Sequence, residues 1–335
     1  VPGDHYTVVR NPKYYRASEG LPYLEKVVFR PVANQGTVLK DMQSGAVQSA
    51  WFLDAAKLPA YRQLTDYQLV LGTSASYEAI HFNENNPALK DVNVRKAIAM
   101  AINRDELIKT ARLGAALPIC TDHTPVFKPG YQPDIQCPTF DLDGANKLLD
   151  QAGWTMGPDG VRQKNGLRLE FQYSTTANNQ WRQQDEIINQ ANFKKIGVKI
   201  DIQNYPASTF FSTFLTGGQP GKYDMAEWAS SANYDANDSQ FLACDQIGKQ
   251  NLNWYCNPQM DALLRQEQST PDPAARQQIF NKIHELLLTD FPFATEFSPN
   301  DISAHKLGTH NYKPGPFAAS EMVNIWEWWC DNGKC

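Results

Sequence analysis

The segment 223–235 brings together side chains that could bind a small molecule. Its first half alternates as a β-strand does, and we predict that the strand ends at Trp228, where small and polar residues follow. An indole, a hydroxyl, an amide, a phenol and a carboxylate then occur within eight residues; they belong to Trp228, Ser231, Asn233, Tyr234 and Asp235. Small-molecule sites use this mixture for stacking and oriented hydrogen bonds. The alternative is an ordinary strand end followed by a surface loop.

Trp228 and Ser231 are predicted to play different parts in such a site. The residues after Trp228 are too small to cover its ring, so the indole is expected to line a cleft rather than pack inside the core. A serine hydroxyl donates and accepts hydrogen bonds without carrying charge, which suits a hydroxyl- or amide-rich ligand. Tyr173 and Tyr205 complete the set of residues predicted to contact the ligand.

Motifs for catalysis or metal binding are not evident in the sequence. The histidines follow no H-E-x-x-H pattern and are interpreted as surface or packed residues; they occur at positions 5, 81, 123, 284, 305 and 310. The GGQPGK segment at 217–222 is one residue short of a P-loop. We therefore predict no metal ion and no cofactor. Carboxylate pairs for glycoside hydrolysis need only spatial proximity, so an extracellular glycan-active enzyme stays open as an alternative.

Length and composition indicate a two-lobed globular protein. The 335 residues exceed what one ordinary core accommodates, and 42% are hydrophobic while 20% are charged. The net charge of −5, with both signs intermixed, argues against a nucleic-acid surface. No apolar run approaches the roughly 20 residues of a transmembrane helix. The chain opens at Val1 almost directly into a predicted strand, as a mature or trimmed chain would.

The six cysteines form three pairs that are close in sequence. We predict disulfides between Cys120 and Cys137, between Cys244 and Cys256, and between Cys330 and Cys335, each bracketing a loop-like stretch. Such pairing implies an oxidising compartment. The alternative is six reduced cysteines in a cytosolic protein, although no C-x-x-C metal or redox spacing is present.

Strands and helices are predicted to alternate, which indicates an α/β fold with partly parallel sheets. Predicted strands cover 6–9, 25–32, 47–52, 77–83, 167–173, 198–202, 223–228 and 292–297. Predicted helices cover 37–44, 181–196, 210–215 and 258–266, and others begin after Asp91, Asn103, Asp141 and Asp272. The proline-rich stretch 117–139 is interpreted as a crossing between lobes.

Several segments resemble bacterial extracellular solute-binding proteins of family 5, which include the dipeptide-, oligopeptide- and nickel-binding proteins of ABC importers. They occur in the family's order and cover nearly the whole chain. The segments are GDHYTVVRNPKYYR at 3–16, EKVVFRPV at 25–32, SGAVQSAW at 44–51, HFNENNPALKDVNVRKAIAMAINRDELI at 81–108, DLDGANKLLDQAGW at 141–154 and YDMAEW at 223–228.

The resemblance implies a type II, two-lobed periplasmic-binding-protein-like clamp that closes on a ligand. The first lobe would comprise 1–110 and 301–335, and the second lobe 111–300. Family members extend upstream of the first motif, so the first lobe is expected to be incomplete, with any membrane tether in the missing segment. The Cys244–Cys256 loop also has a counterpart after the binding strand of dipeptide-binding relatives.

The same resemblance implies function and partners. The protein would be a monomeric, extracytoplasmic binding protein, not an enzyme. It would capture a peptide or similar small polar solute, or an oligosaccharide, for an ABC permease. Peptide-binding relatives usually place an aspartate three residues after the strand tryptophan, to pair with the ligand's amino group; this chain has Ser231 there. A purely structural surface domain is a third alternative.

Overall fold

The computed structural model describes residues 3–32, 34–219, 222–317 and 320–333. The chain forms two compact units, one of Val1–Ser74 with Asn300–Cys335 and one of Ala75–Pro299. Residues 75–110, which the sequence analysis predicts to belong to the first lobe, pack within the larger unit. The assignment of lobes at 110 and 300 stays a prediction.

Strands and helices alternate through much of the chain. The strands are β1 (Tyr6–Val9), β2 (Lys26–Phe29), β3 (Ser49–Ala50), β4 (Tyr67–Thr73), β5 (Ser76–Phe82), β6 (Ala116–Leu117), β7 (Thr155–Met156), β8 (Arg162–Lys164), β9 (Leu167–Arg168), β10 (Glu170–Ser174), β11 (Lys199–Ile202), β12 (Met225–Ser231), β13 (Phe293–Lys306), β14 (Thr309–His310) and β15 (Trp329–Cys330). The α-helices are α1 (Gln35–Gln43), α2 (Leu58–Tyr61), α3 (Val92–Met100), α4 (Arg104–Thr110), α5 (Leu142–Gln151), α6 (Gln180–Lys195), α7 (Ala207–Thr209), α8 (Ser239–Leu242), α9 (Pro258–Gln268) and α10 (Pro273–Asp290).

The larger unit is built on a mixed sheet in the order β11-β10-β12-β5-β13. Strand β10 runs parallel to β11 and β12, while β5 runs antiparallel to β12 and β13. The parallel part follows from the crossover helix α6, which returns the chain to the same end of the sheet. The predicted α/β class with partly parallel strands is confirmed.

The two central strands present different chemistry on their two faces. Ile80 of β5 and Met225 of β12 belong to the main hydrophobic core with residues of α3, α5 and α6. The alternate residues His81 and Trp228 lie on the opposite face. Because side chains alternate strictly, a one-residue slip between β5 and β12 would exchange these sets, so the core fixes the register.

Helix starts are where the sequence predicts them. The side chains of Asp91, Asn103, Asp141 and Asp272 each accept a hydrogen bond from a backbone N–H in the first turn of α3, α4, α5 and α10. Gly153, the predicted end of α5, has a φ of 82°, a left-handed conformation that glycine adopts without penalty.

The smaller unit contains short antiparallel pairings. Strand β1 pairs with β2, β14 pairs with β15, and the last part of β13 pairs with β3 and β4. Our prediction misses β4 and ends β13 at Phe297, although the strand continues to Lys306. Both errors have one cause, since the strand continues by pairing with β4, which is more than 200 residues away in sequence.

The Cys120–Cys137 and Cys244–Cys256 disulfides are present, which confirms both predicted pairs. The predicted Cys330–Cys335 pair includes Cys335, which lies outside the described residues.

Candidate functional site

Strand β12 is longer than predicted. It extends through Ser231 rather than ending at Trp228, because Ala229–Ser231 pair with Ser76–Glu78 of β5. The small residues after Trp228 therefore continue a strand and do not open a loop. Trp228 is only 7% exposed. The predictions that the strand ends at Trp228 and that its ring is left uncovered are therefore wrong.

A cavity of about 240 Å³ lies beside this strand within the larger unit. Its walls come from β5, β12, the start of β13, the helical turn Phe210–Phe214 after α7, α8, and the loop between α8 and α9. The lining residues are Tyr77, His81, Phe211, Trp228, Ala229, Ser230, Ser231, Phe241, Gln250, Leu252, Asn253 and Phe293. This is an aromatic wall with a few hydroxyl and amide groups, the composition typical of small-molecule sites.

Stacked rings form the centre of the wall. The imidazole of His81 lies parallel to the indole of Trp228, with ring centroids 3.5 Å apart and an interplanar angle of 7°. The two residues are diagonal neighbours, since His81 pairs with Ala226 and Trp228 pairs with Ala79. Phe293 packs against the imidazole at a centroid distance of 5.4 Å.

The His81 imidazole is held in one tautomer. Asn253 Nδ2 donates to the Pro292 carbonyl at 2.7 Å, so Asn253 Oδ1 faces His81 Nδ1 at 3.2 Å and accepts a hydrogen bond from its N–H. Burial lowers the pKa of His81 to about 3. At neutral pH the imidazole is uncharged, and no carboxylate, lysine or arginine lines the cavity in the described part of the chain.

Two of the predicted ligand-binding residues, Trp228 and Ser231, line the cavity. The Ser231 hydroxyl is half-buried and donates to the Ala232 carbonyl at 2.9 Å, which leaves its oxygen lone pairs as acceptors.

The other predicted residues lie outside the cavity lining. Tyr173 is fully buried, and its hydroxyl donates to Glu227 Oε2 at 2.6 Å. Tyr205 packs on Phe214, with ring centroids 4.5 Å apart.

The loop after β12 places its polar residues toward solvent. Tyr234 is 73% exposed, and Asn233 and Asp235 are also exposed. Arg276 binds the Asp235 carboxylate at 2.8 Å and lowers its pKa. Ligand contact by these residues stays a prediction.

His81, Asn253 and Phe293 are cavity residues that sequence reasoning missed. The alternation within 77–83 does place Tyr77 and His81 on one face of a strand. It could not show that this face adjoins Trp228, because β5 and β12 are separated by more than 140 residues.

A separate group of ionisable residues lies on the core side of the same strands. Oxygens of Asp185, Glu227 and Glu296 lie within 4.8 Å of one another, and all three residues are buried. Burial raises the pKa of each, to about 8 for Glu296. Burial also raises the pKa of the neighbouring Glu78, which pairs with Arg182 at 2.8 Å. The raised pKa values favour the neutral, protonated forms, and these let the closely spaced carboxyl groups coexist inside the core.

Comparison with known proteins identifies the family. The family described as bacterial extracellular solute-binding proteins, family 5 Middle, matches residues 1–250. The oligopeptide-binding protein AppA of Bacillus subtilis is 26% identical over 337 residues, covering 98% of this chain and 59% of that protein. The chain thus spans about three fifths of the length of this relative.

Solved structures agree. The oligopeptide-binding protein of Thermus thermophilus, complexed with a pentapeptide, superimposes with a TM-score of 0.79 at 25% identity, covering 99% of this chain and 61% of that one. NikZ of Campylobacter jejuni, in complex with Ni(L-His), has a TM-score of 0.79 at 19% identity, covering 98% of this chain and 66% of that one. At that identity the second match shows the fold alone.

Within the described residues, no helix has the length and apolar character needed to span a membrane. The predicted two-lobed α/β class is confirmed by the solved relatives. The sequence resemblance is confirmed by the family match, and this chain belongs to the family 5 bacterial extracellular solute-binding proteins.

Proposed function

We propose that this chain is the extracytoplasmic substrate-binding protein of an ABC importer, and that its cavity accepts an uncharged, amide-bearing part of a peptide or a similar polar solute. The observation that carries the proposal is a buried His81–Trp228 stack in a cavity whose polar groups are hydroxyls and amides. Planar amides stack on aromatic rings and exchange hydrogen bonds with such groups.

The relatives support a peptide as the ligand. AppA of Bacillus subtilis and the Thermus thermophilus protein are both described as oligopeptide-binding. The structure favours a particular mode of peptide binding, because Ser231 cannot form an ion pair with a free amino terminus. We infer that internal peptide groups, rather than the terminal amine, occupy this cavity.

The family supports the proposed location and partners. Family members are extracellular binding proteins, and two disulfides are consistent with an oxidising compartment. The proposed partner is an ABC permease that recognises the liganded protein. Binding as a monomer and closure on the ligand are predictions from the resemblance.

A neutral oligosaccharide is the second candidate ligand. Sugar rings also stack on tryptophan, and their hydroxyls match Ser230, Gln250 and Asn253. A protein that binds oligosaccharides could also be a glycan-active enzyme. Membership in a family of binding proteins argues against that alternative.

Calorimetry with a matched panel tests the proposal. The panel contains peptides of several lengths, each with a free and an N-acetylated amino terminus, and neutral oligosaccharides. We expect saturable peptide binding, with N-acetylation changing Kd by less than about threefold, which is under about 1 kcal/mol. Chromatography after long incubation should recover every compound intact.

Three outcomes would contradict the proposal. Cleavage of an oligosaccharide would favour the enzyme, and absence of any saturable ligand would favour a structural domain. A Kd more than about tenfold lower for the free amine than for the acetylated peptide would require a carboxylate near the ligand. That result would contradict binding in a cavity without charged groups.

A further inference from the structure

A second buried polar group lies outside the ligand cavity. It consists of Asp122, His123 and His284, all fully buried. Asp122 and His123 belong to the loop closed by the Cys120–Cys137 disulfide, and His284 lies on α10. The sequence did not indicate this group because the two histidines are 161 residues apart.

Three donor atoms of this group converge on one point. His123 Nδ1 and His284 Nε2 are 2.9 Å apart. Asp122 Oδ1 lies 3.1 Å from the first nitrogen and 3.3 Å from the second. Ligands at about 2.0–2.1 Å from a zinc ion, with angles near 90–110°, are separated by about 2.9–3.4 Å. The three atoms therefore have the spacing of ligands to one cation.

The outer nitrogens of both imidazoles are engaged. His123 Nε2 lies 2.8 Å from the Ala236 carbonyl, which can only accept, so this nitrogen carries the proton. His284 Nδ1 faces Gln132 Oε1 at 3.4 Å. The inner nitrogens of the two imidazoles, His123 Nδ1 and His284 Nε2, therefore face each other across 2.9 Å. That arrangement requires either a shared proton or a shared cation.

We propose that Asp122, His123 and His284 bind a divalent transition-metal ion of the zinc class. Asp122 Oδ1 faces both ring nitrogens, and the other oxygen of the same carboxylate can complete the coordination. Imidazole nitrogens with one carboxylate suit zinc and its neighbours rather than calcium or magnesium.

The surroundings of the group match those of known metal sites. Metal-binding histidines commonly donate their other N–H to a carbonyl or carboxylate, as His123 does to Ala236, with Asp238 Oδ2 3.4 Å from the same nitrogen. Asp238 is also buried. A divalent cation would offset the charge of the buried Asp122 carboxylate in this region closed to water.

The ion would serve a structural role for the ligand site. Ala236 and Asp238 belong to the loop that follows β12, and the last residues of that strand line the cavity. The cation would join this loop, through His123, to the disulfide-closed loop and to α10. Its role is independent of which solute the cavity accepts.

Metal titration of the whole chain tests the proposal. After dialysis against a chelator, we expect one zinc ion per chain by elemental analysis and calorimetry. Saturating zinc should raise Tm by roughly 4 °C when free zinc exceeds Kd about 100-fold. Cobalt(II) at the same site should show the intense visible bands of a low-symmetry, four-coordinate ion.

Variants locate the site. His284→Gln should remove the cobalt bands and the zinc-dependent rise in Tm, while the control His310→Gln, at an exposed histidine, should retain both. If His284→Gln fails to fold, the cobalt spectrum and zinc stoichiometry of the unmodified chain still decide. Absence of stoichiometric metal binding would overturn the proposal and favour a proton shared between His123 and His284. Cobalt bands that persist in His284→Gln would overturn it as well, because the metal would then bind without His284.

Discussion

The larger and smaller units each contain a stacked histidine–tryptophan pair. His81 and Trp228 stack at 3.5 Å and 7° in the larger unit. His310 and Trp329 stack at 3.8 Å and 17° in the smaller unit. The two stacks have the same ring types and nearly the same geometry, so stacking alone does not indicate which of them binds a ligand.

The surroundings of the two pairs differ. His81 is fully buried beside the neutral Asn253 amide, whereas the His310 side chain is 40% exposed and bonds to the Asp331 carboxylate at 2.8 Å. Trp228 adjoins a cavity, while Trp329 is 41% exposed to solvent. Only the His81–Trp228 stack is buried beside a cavity, and burial keeps its imidazole uncharged. These two properties make it the candidate ligand surface.

The largest expected effect is on ligand binding after loss of an indole. Trp228→Ala should weaken peptide binding roughly tenfold or more, because a lost stacking ring costs about 1–3 kcal/mol. Trp329→Ala removes the same ring from the exposed stack and should leave Kd unchanged. Calorimetry measures both.

Folding must be checked in the same experiment, since removing a buried tryptophan also destabilises the core. Circular dichroism and Tm provide the check, and Trp228→Phe keeps an aromatic surface if the alanine variant unfolds. Equal binding by folded Trp228→Ala and Trp329→Ala would place the ligand site elsewhere.

The second prediction concerns pH and stability. The pKa of His81 is about 3 in the folded protein, against an ordinary value of 6.5 for the unfolded chain. Burial of the neutral imidazole therefore leaves the free energy of unfolding at its full value above pH 6.5, and this free energy falls as pH drops toward 3. Between about pH 7.5 and 5.0 this amounts to about 2 kcal/mol of unfolding free energy. In His81→Phe the loss of stability over that interval should be smaller by this amount, as measured by urea denaturation.

His310→Phe makes the same substitution in the exposed stack. A change of pH dependence as large as that of His81→Phe would break the contrast between the two pairs. An unchanged pH dependence in His81→Phe would show that water reaches this imidazole in the folded protein.

The smallest expected effect is a change of ligand preference. Ser231→Asp places a carboxylate at the half-buried edge of the neutral cavity, and it should favour a free amino terminus over an acetylated one by about fivefold. Ser269→Asp, at the exposed end of α9, adds the same charge away from the cavity as a control. If both variants shift the Kd ratio equally, general attraction rather than a local contact is responsible.

Local chemistry in the sequence was sufficient for the helix starts, the two described disulfides and the family. An aspartate or asparagine before a helix caps it through its own side chain, and the paired cysteines lie within 17 residues of each other. Such features depend on neighbours along the chain, so they can be read from it directly. Local sequence also identified Trp228 and Ser231 as candidate ligand-binding residues.

Tertiary structure alone decided what surrounds those residues. The pairing of β5 with β12 places His81 against Trp228 and extends the strand past its predicted end, and the pairing of β4 with β13 creates a strand that local pattern missed. The convergence of His123 and His284 has the same origin. Each juxtaposition joins segments more than 140 residues apart, and its geometry depends on the packing of the whole unit, which no local periodicity encodes.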